Sequence, residues 1–212
     1  SEAPWSAAEA LAFLEEVVPM LQAAHARGVV HRDLKPSNIF VTSRQPLRLK
    51  LLDFGVAKLL AESDEGSARE DESVTPGIAP ALSGAAMTGS RVVGTPSYMA
   101  PEQADGDSQM VGPATDIYAL GVTLYQLLSG ELPIVAGDTE TLLEKRLTAK
   151  PEALHEHCPE LHADVVALVH RCLAKDPAER PAGVEEVLAA FRAAASPAAA
   201  TPRRTGAVAL GG

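Results

Sequence analysis

The stretch His31-Arg32-Asp33-Leu34-Lys35-Pro36-Ser37-Asn38, followed downstream by Asp53-Phe54-Gly55, is the part of the sequence from which the rest can be read. It supplies two acidic groups able to hold a metal or a proton, Asp33 and Asp53, with a lysine, Lys35, close by. Short apolar runs surround it. Val29-Val30 and Ile39-Phe40-Val41 read as strands on either side, and Leu49-Lys50-Leu51-Leu52 as a strand delivering Asp53. Residues 42–46 read as the intervening turn.

Upstream, Ser6 and Glu9 have capping-box spacing, and Leu11, Leu14, Val18 and Leu21 recur at helical intervals until Gly28. The spacing predicts a helix leading directly into the polar stretch. Pro19 lies inside it and removes one backbone hydrogen bond while crowding the carbonyl of Glu15, so a kink or break is expected there. Downstream, residues 58–91 are rich in Ser, Gly, Glu, Asp and Pro with little periodicity and read as a long flexible loop. Beyond Pro101 the pattern turns helical over 117–128, 142–147, 165–173 and 184–195. The Ala/Pro-rich end reads as a disordered linker.

Composition bounds the chemistry. The 212 residues allow one domain and a tail, and the formal net charge of -10 argues against nucleic acid or an anionic membrane as the main partner. No apolar run reaches the roughly 18 residues of a membrane span. Cys158 and Cys172 are the only cysteines and have neither CxxC spacing nor an accompanying cysteine-histidine cluster, so free thiols in a reducing cytoplasm are expected. His25, His155, His157, His162 and His170 lack metal-ligand context and read as surface or packing residues.

Five separated motifs give the chain a family resemblance. They are the stretch 31–38, Asp53-Phe54-Gly55, Gly94-Thr95-Pro96-Ser97-Tyr98-Met99-Ala100-Pro101-Glu102, Asp116-Ile117-Tyr118-Ala119-Leu120-Gly121 and Asp176-Pro177-Ala178-Glu179-Arg180-Pro181. In this order they resemble the eukaryotic-like serine/threonine protein kinases that bacteria also carry. The resemblance implies a mainly α fold: a kinase C-terminal lobe, helical with short β hairpins around the catalytic loop. It implies a kinase large lobe over 1–193 with a long activation segment over 53–102, and a disordered linker over 194–212.

The same resemblance implies site roles. Asp33 aligns with the aspartate that accepts the substrate hydroxyl proton, Asn38 with a ligand of the second Mg²⁺ and Asp53 with the ligand of the first. Mn²⁺ is an alternative metal. Lys35 resembles the lysine that contacts the γ-phosphate of ATP and, with Thr95-Pro96 in the substrate pocket, implies Ser or Thr acceptors on protein substrates. Phe40 aligns beneath the adenine ring. Arg32 aligns with the arginine that pairs with an activation-loop phosphate, for which Thr88 and Ser90 are the candidate acceptors, ahead of Thr75 and Ser83. The acidic run 62–72 reads as solvated filler. His31 and Phe54 resemble apolar spine members beside Gly55, Glu102 and Arg180 a structural ion pair, and Asp116 a carboxylate that accepts catalytic-loop N–H groups.

The resemblance also exposes a gap. Neither Gly-x-Gly-x-x-Gly nor Val-Ala-x-Lys precedes His31, so the small lobe that covers ATP is expected to be absent from this chain. A fragment of a whole kinase, in a parent protein that a membrane span could anchor, accounts for that. Its further partners are then the missing small lobe or another kinase copy. The alternative is an orphan lobe that acts as a non-catalytic binding module.

Overall fold

In a computed structural model of the chain, residues 3–52, 96–107 and 109–195 are described. Helix α1 (Ala7–His25) starts where the sequence caps it: the Ser6 N–H donates to Glu9 Oε2 at 2.8 Å, and the Glu9 N–H to Ser6 Oγ at 3.3 Å. It buries Ala10, Phe13, Leu14, Val17, Val18 and Leu21. The expected break at Pro19 is absent, and α1 is assigned as one helix through it. Pro19 and Glu15 both lie on the exposed side, where water can solvate the carbonyl that lost its donor, while Val17, Val18 and Leu21 fasten the opposite face to the core.

Strands β1 (Ile39–Arg44) and β2 (Leu47–Leu51) form an antiparallel hairpin pairing Ile39 with Leu51 and Val41 with Leu49. The turn is narrower than the sequence suggested. Thr42, Ser43 and Arg44 belong to β1, accommodated by an irregularity between Val41 and Ser43, and only Gln45-Pro46 make the turn. Val29-Val30 is not a strand, because the Val29 N–H closes the end of α1 on the Ala24 carbonyl at 3.0 Å. The hairpin packs on α1, where Glu16 receives Arg48 Nη1 at 2.6 Å.

The remaining helices are α2 (Pro101–Ala104), α3 (Pro113–Ser129), α4 (Thr139–Thr148), α5 (Leu154–His157), α6 (Ala163–Cys172) and α7 (Val184–Ala195). The short α2 and α5 carry too few turns for periodicity to find. Every residue of α3 from Thr115 to Tyr125 is buried, which makes this helix the axis of the core. Helix α1 packs against α3 and α7, and α6 against α3 and α7. At Gly121 the α3–α6 approach is so close that a Cβ there would stand 2.6 Å from Cys172 Cβ. Gly130, at φ +78°, ends α3 in the left-handed conformation. Helix α7 holds Ala194, buried, and Ala195, so it reaches past 193 into residues that the linker was expected to begin with. The molecule is thus mainly helical, with one two-stranded sheet among the described residues.

Candidate active site

The polar stretch 31–38 is suspended between the base of α3 and the end of the hairpin. Asp116, fully buried in the first turn of α3, accepts the His31 N–H on Oδ2 and the Arg32 N–H on Oδ1, both at 2.8 Å. Its Oδ2 also receives His25 Nε2 from the last turn of α1 at 2.7 Å. His31 is fully buried, and its Nε2 donates to the Leu52 carbonyl at 3.0 Å. The Leu52 N–H in turn donates to the Asn38 carbonyl at 2.8 Å, tying the stretch to the segment that leads to Asp53. Arg32 holds φ at +67°, an unfavourable value for a side chain with a Cβ, and the surrounding hydrogen bonds keep it there.

Three side chains of this loop meet. Lys35 Nζ lies 2.7 Å from Asp33 Oδ2. Asn38 Nδ2 donates to the same oxygen at 3.0 Å and to the Asp33 carbonyl at 2.8 Å. The Asp33 side chain keeps 46% of its surface open to solvent, whereas Lys35 keeps 18%. Leu34, completely buried, anchors the loop between them. The result is an accessible carboxylate oriented by an amide and a cation, able to accept a proton beside a positive charge that suits an anionic group. With Nδ2 committed to Asp33, the Asn38 side chain has its amide oxygen left for a hard cation such as Mg²⁺. Phe40, on β1, is 56% exposed.

A second polar cluster lies behind the loop. Arg180 makes a two-pronged pair with Glu102, Nη1 to Oε1 at 2.8 Å and Nη2 to Oε2 at 2.7 Å, with both side chains buried. Thr115 Oγ1 donates to Glu102 Oε1 at 2.8 Å, and Arg180 also donates to the carbonyls of Ala114, Ala174 and Lys175. Burial works against the Glu102 charge, but these donors outweigh it and hold the carboxyl below its ordinary value. Tyr118 lies between two guanidinium groups, with Arg180 at 5.0 Å and Arg146 at 5.6 Å from its ring centre. Arg146 is fully buried and donates to the Tyr118 hydroxyl and to the carbonyls of Pro96 and Ser97. Lys175 donates to the Arg146 carbonyl; burial, then Arg146 and Arg180, lower its pKa to about 8.

The structure therefore gathers Asp33, Lys35 and Asn38 in one place, with His31, Arg32 and Asp116 fixing their loop. It sets Glu102, on α2, and Arg180 apart from them as a separate buried pair. Asp53, Phe54, Gly55, Thr88, Ser90 and Thr95 lie outside the described residues, as do the loop 58–91 and residues 196–212. Three contributors escaped the sequence reading. His25, taken as a surface or packing residue, is a hydrogen-bond partner of buried Asp116. Arg146 sits four residues after Leu142, on the buried side of α4, and that spacing was the available signal. Gln103, half-buried, donates to the Arg32 carbonyl, and nothing local in the sequence pointed to it.

Known proteins resemble this chain in sequence and in fold. The family model described as protein kinase domain matches residues 1–191. Serine/threonine-protein kinase pkn3 of Myxococcus xanthus is 37% identical over 196 residues, covering 91% of this chain and 32% of its own length. Serine/threonine-protein kinase PknB of Mycobacterium tuberculosis is 33% identical over 183 residues, covering 85% and 25%. The chain thus spans about a third or less of these curated relatives. The crystal structure of the Mycobacterium tuberculosis PknI kinase domain superposes with a TM-score of 0.61 at 27% identity, over 91% of this chain and 58% of that one. By motif order, fold and sequence, the chain belongs to the protein kinase family, among the eukaryotic-like serine/threonine kinases of bacteria.

Proposed function

We propose that this chain carries the catalytic loop of an ATP-dependent protein serine/threonine kinase. The observation that carries the reading is the meeting of Asp33, Lys35 and Asn38 on a loop pinned by Asp116. Asp33 accepts the proton of a substrate Ser or Thr hydroxyl as its oxygen bonds to the γ-phosphorus of ATP and the bond to the ADP oxygen breaks. Lys35 faces the negative charge on the transferring group. Asn38 and Asp53 would hold Mg²⁺, which draws charge from the phosphate oxygens. Phe40, exposed on β1, would lie under the adenine.

In the same reading residues 53–102 form the activation segment, Arg32 pairs with phosphate on Thr88 or Ser90, and Thr95 shapes the acceptor pocket. The active unit includes an ATP-covering lobe, and the described residues before His31 hold only α1 and its flanking loops. Among the described residues no helix is long and apolar enough to cross a membrane. The test uses protein expressed from the complete reading frame, incubated with radiolabelled Mg-ATP and a Ser/Thr-rich protein such as casein. Label on phosphoserine or phosphothreonine is expected; label on phosphotyrosine alone, or none, overturns the proposal.

A further inference from the structure

Arg32 is held in an unfavourable conformation, and a positive φ of this kind persists only where contacts fix the peptide units on both sides. Asp116 secures the N-terminal side through the N–H groups of His31 and Arg32. The C-terminal side is secured from elsewhere: Gln103 Nε2 donates to the Arg32 carbonyl at 2.8 Å. That carbonyl shares a rigid peptide plane with the N–H of Asp33, so whatever orients it also orients the start of Asp33.

The other end of the Gln103 amide is engaged as well. Its Oε1 accepts the Ala100 N–H at 3.0 Å. Ala100 ends the segment whose Pro96 and Ser97 carbonyls are gripped by Arg146. The base from which Gln103 projects is fixed too, because the adjacent Glu102 is locked by Arg180 and Thr115. One amide side chain thus bridges the segment 96–100 and the catalytic loop, from an anchored helix turn.

We infer that Gln103 is a positioning residue for phosphoryl transfer, which clamps the Arg32–Asp33 peptide and couples the placement of Asp33 to the segment 96–100. This rests on the kinase reading given above. A catalytic group displaced by a fraction of an ångström loses rate while the distant nucleotide contacts remain, so the effect falls on kcat and leaves KM for ATP in place.

The experiment compares wild type, Gln103→Met and Gln103→Glu, each made from the complete reading frame. Methionine keeps the length without the hydrogen bonds; glutamate can still accept from Ala100 but cannot donate to Arg32. In both variants kcat should fall roughly ten- to a hundredfold, with KM for ATP within about twofold. Hydrogen exchange of the backbone N–H groups of residues 31–33 should accelerate in both, with α3 and α6 as protected as in wild type. Wild-type kcat in both variants overturns the inference. So does unchanged exchange at 31–33, or loss of protection throughout α3 and α6, which would make Gln103 a general core residue. The exchange readout needs no activity: an inactive wild type would refute the kinase reading while leaving the clamp to be judged separately.

Discussion

His25 Nε2 and Asp116 Oδ2 lie 2.7 Å apart, a hydrogen bond joining the last turn of α1 to the first turn of α3 across the base of the loop 31–38. The same carboxylate holds the N–H groups of His31 and Arg32, so one buried side chain fixes two helices and a loop. His25→Ala removes one of these donors and should cost about 1 kcal/mol. Asp116→Ala leaves two backbone N–H groups without their acceptor and should cost about 3 kcal/mol or more. Urea denaturation of both variants checks the ranking; equal losses would mean that Asp116 does not organise the loop.

The Glu102–Arg180 pair should behave as a buried pair does. Glu102→Gln or Arg180→Met alone should destabilise by about 3–5 kcal/mol, because each strands a buried charge or its donors. The double variant should lose much less than the sum. Because the folded-state pKa of Glu102 is lowered from 4.5, its contribution is complete above that value and is lost as pH falls through the lower folded value. Denaturation between neutral pH and pH about 3 should show wild type losing stability faster than Glu102→Gln on the acid side. Parallel curves would contradict the pair's role.

Lys175 gives the opposite limb of the pH profile. Its pKa is lowered from 10.5 to about 8 by burial and then by Arg146 and Arg180, so between those values the unfolded chain binds more protons than the folded one. Stability from this group therefore rises with pH across that window, as the cost of the crowded charge disappears. Stability of wild type relative to Lys175→Met should increase from pH 8 to pH 10.5. Taking the difference removes the opposing contribution of Cys172, whose thiol burial pushes up to about 12. A difference that stays flat would mean that neither burial nor the two arginines depress the Lys175 pKa.

The sequence made the polar cluster legible because the residues concerned are neighbours in the chain. Asp33, Lys35 and Asn38 fall within six positions, and a single turn suffices to bring them together. Helices with long apolar faces, α1, α3 and α7, were legible for the same local reason. What could not be read depends on distant partners. His25 acquires its role from a residue 91 positions away, and Gln103 from one 71 positions away. Val29-Val30 has the composition of a strand, but the end of α1 claims its backbone. Pro19 shows tertiary packing overriding a local breaker.

The most direct test of the central claim is to measure phosphoryl transfer and Mg-ATP affinity for wild type and Asp33→Asn, both expressed from the complete reading frame. If Asp33 is the proton acceptor, the variant should transfer about 10²–10⁴-fold more slowly and bind Mg-ATP with nearly unchanged affinity. Equal transfer rates in the two proteins would contradict it.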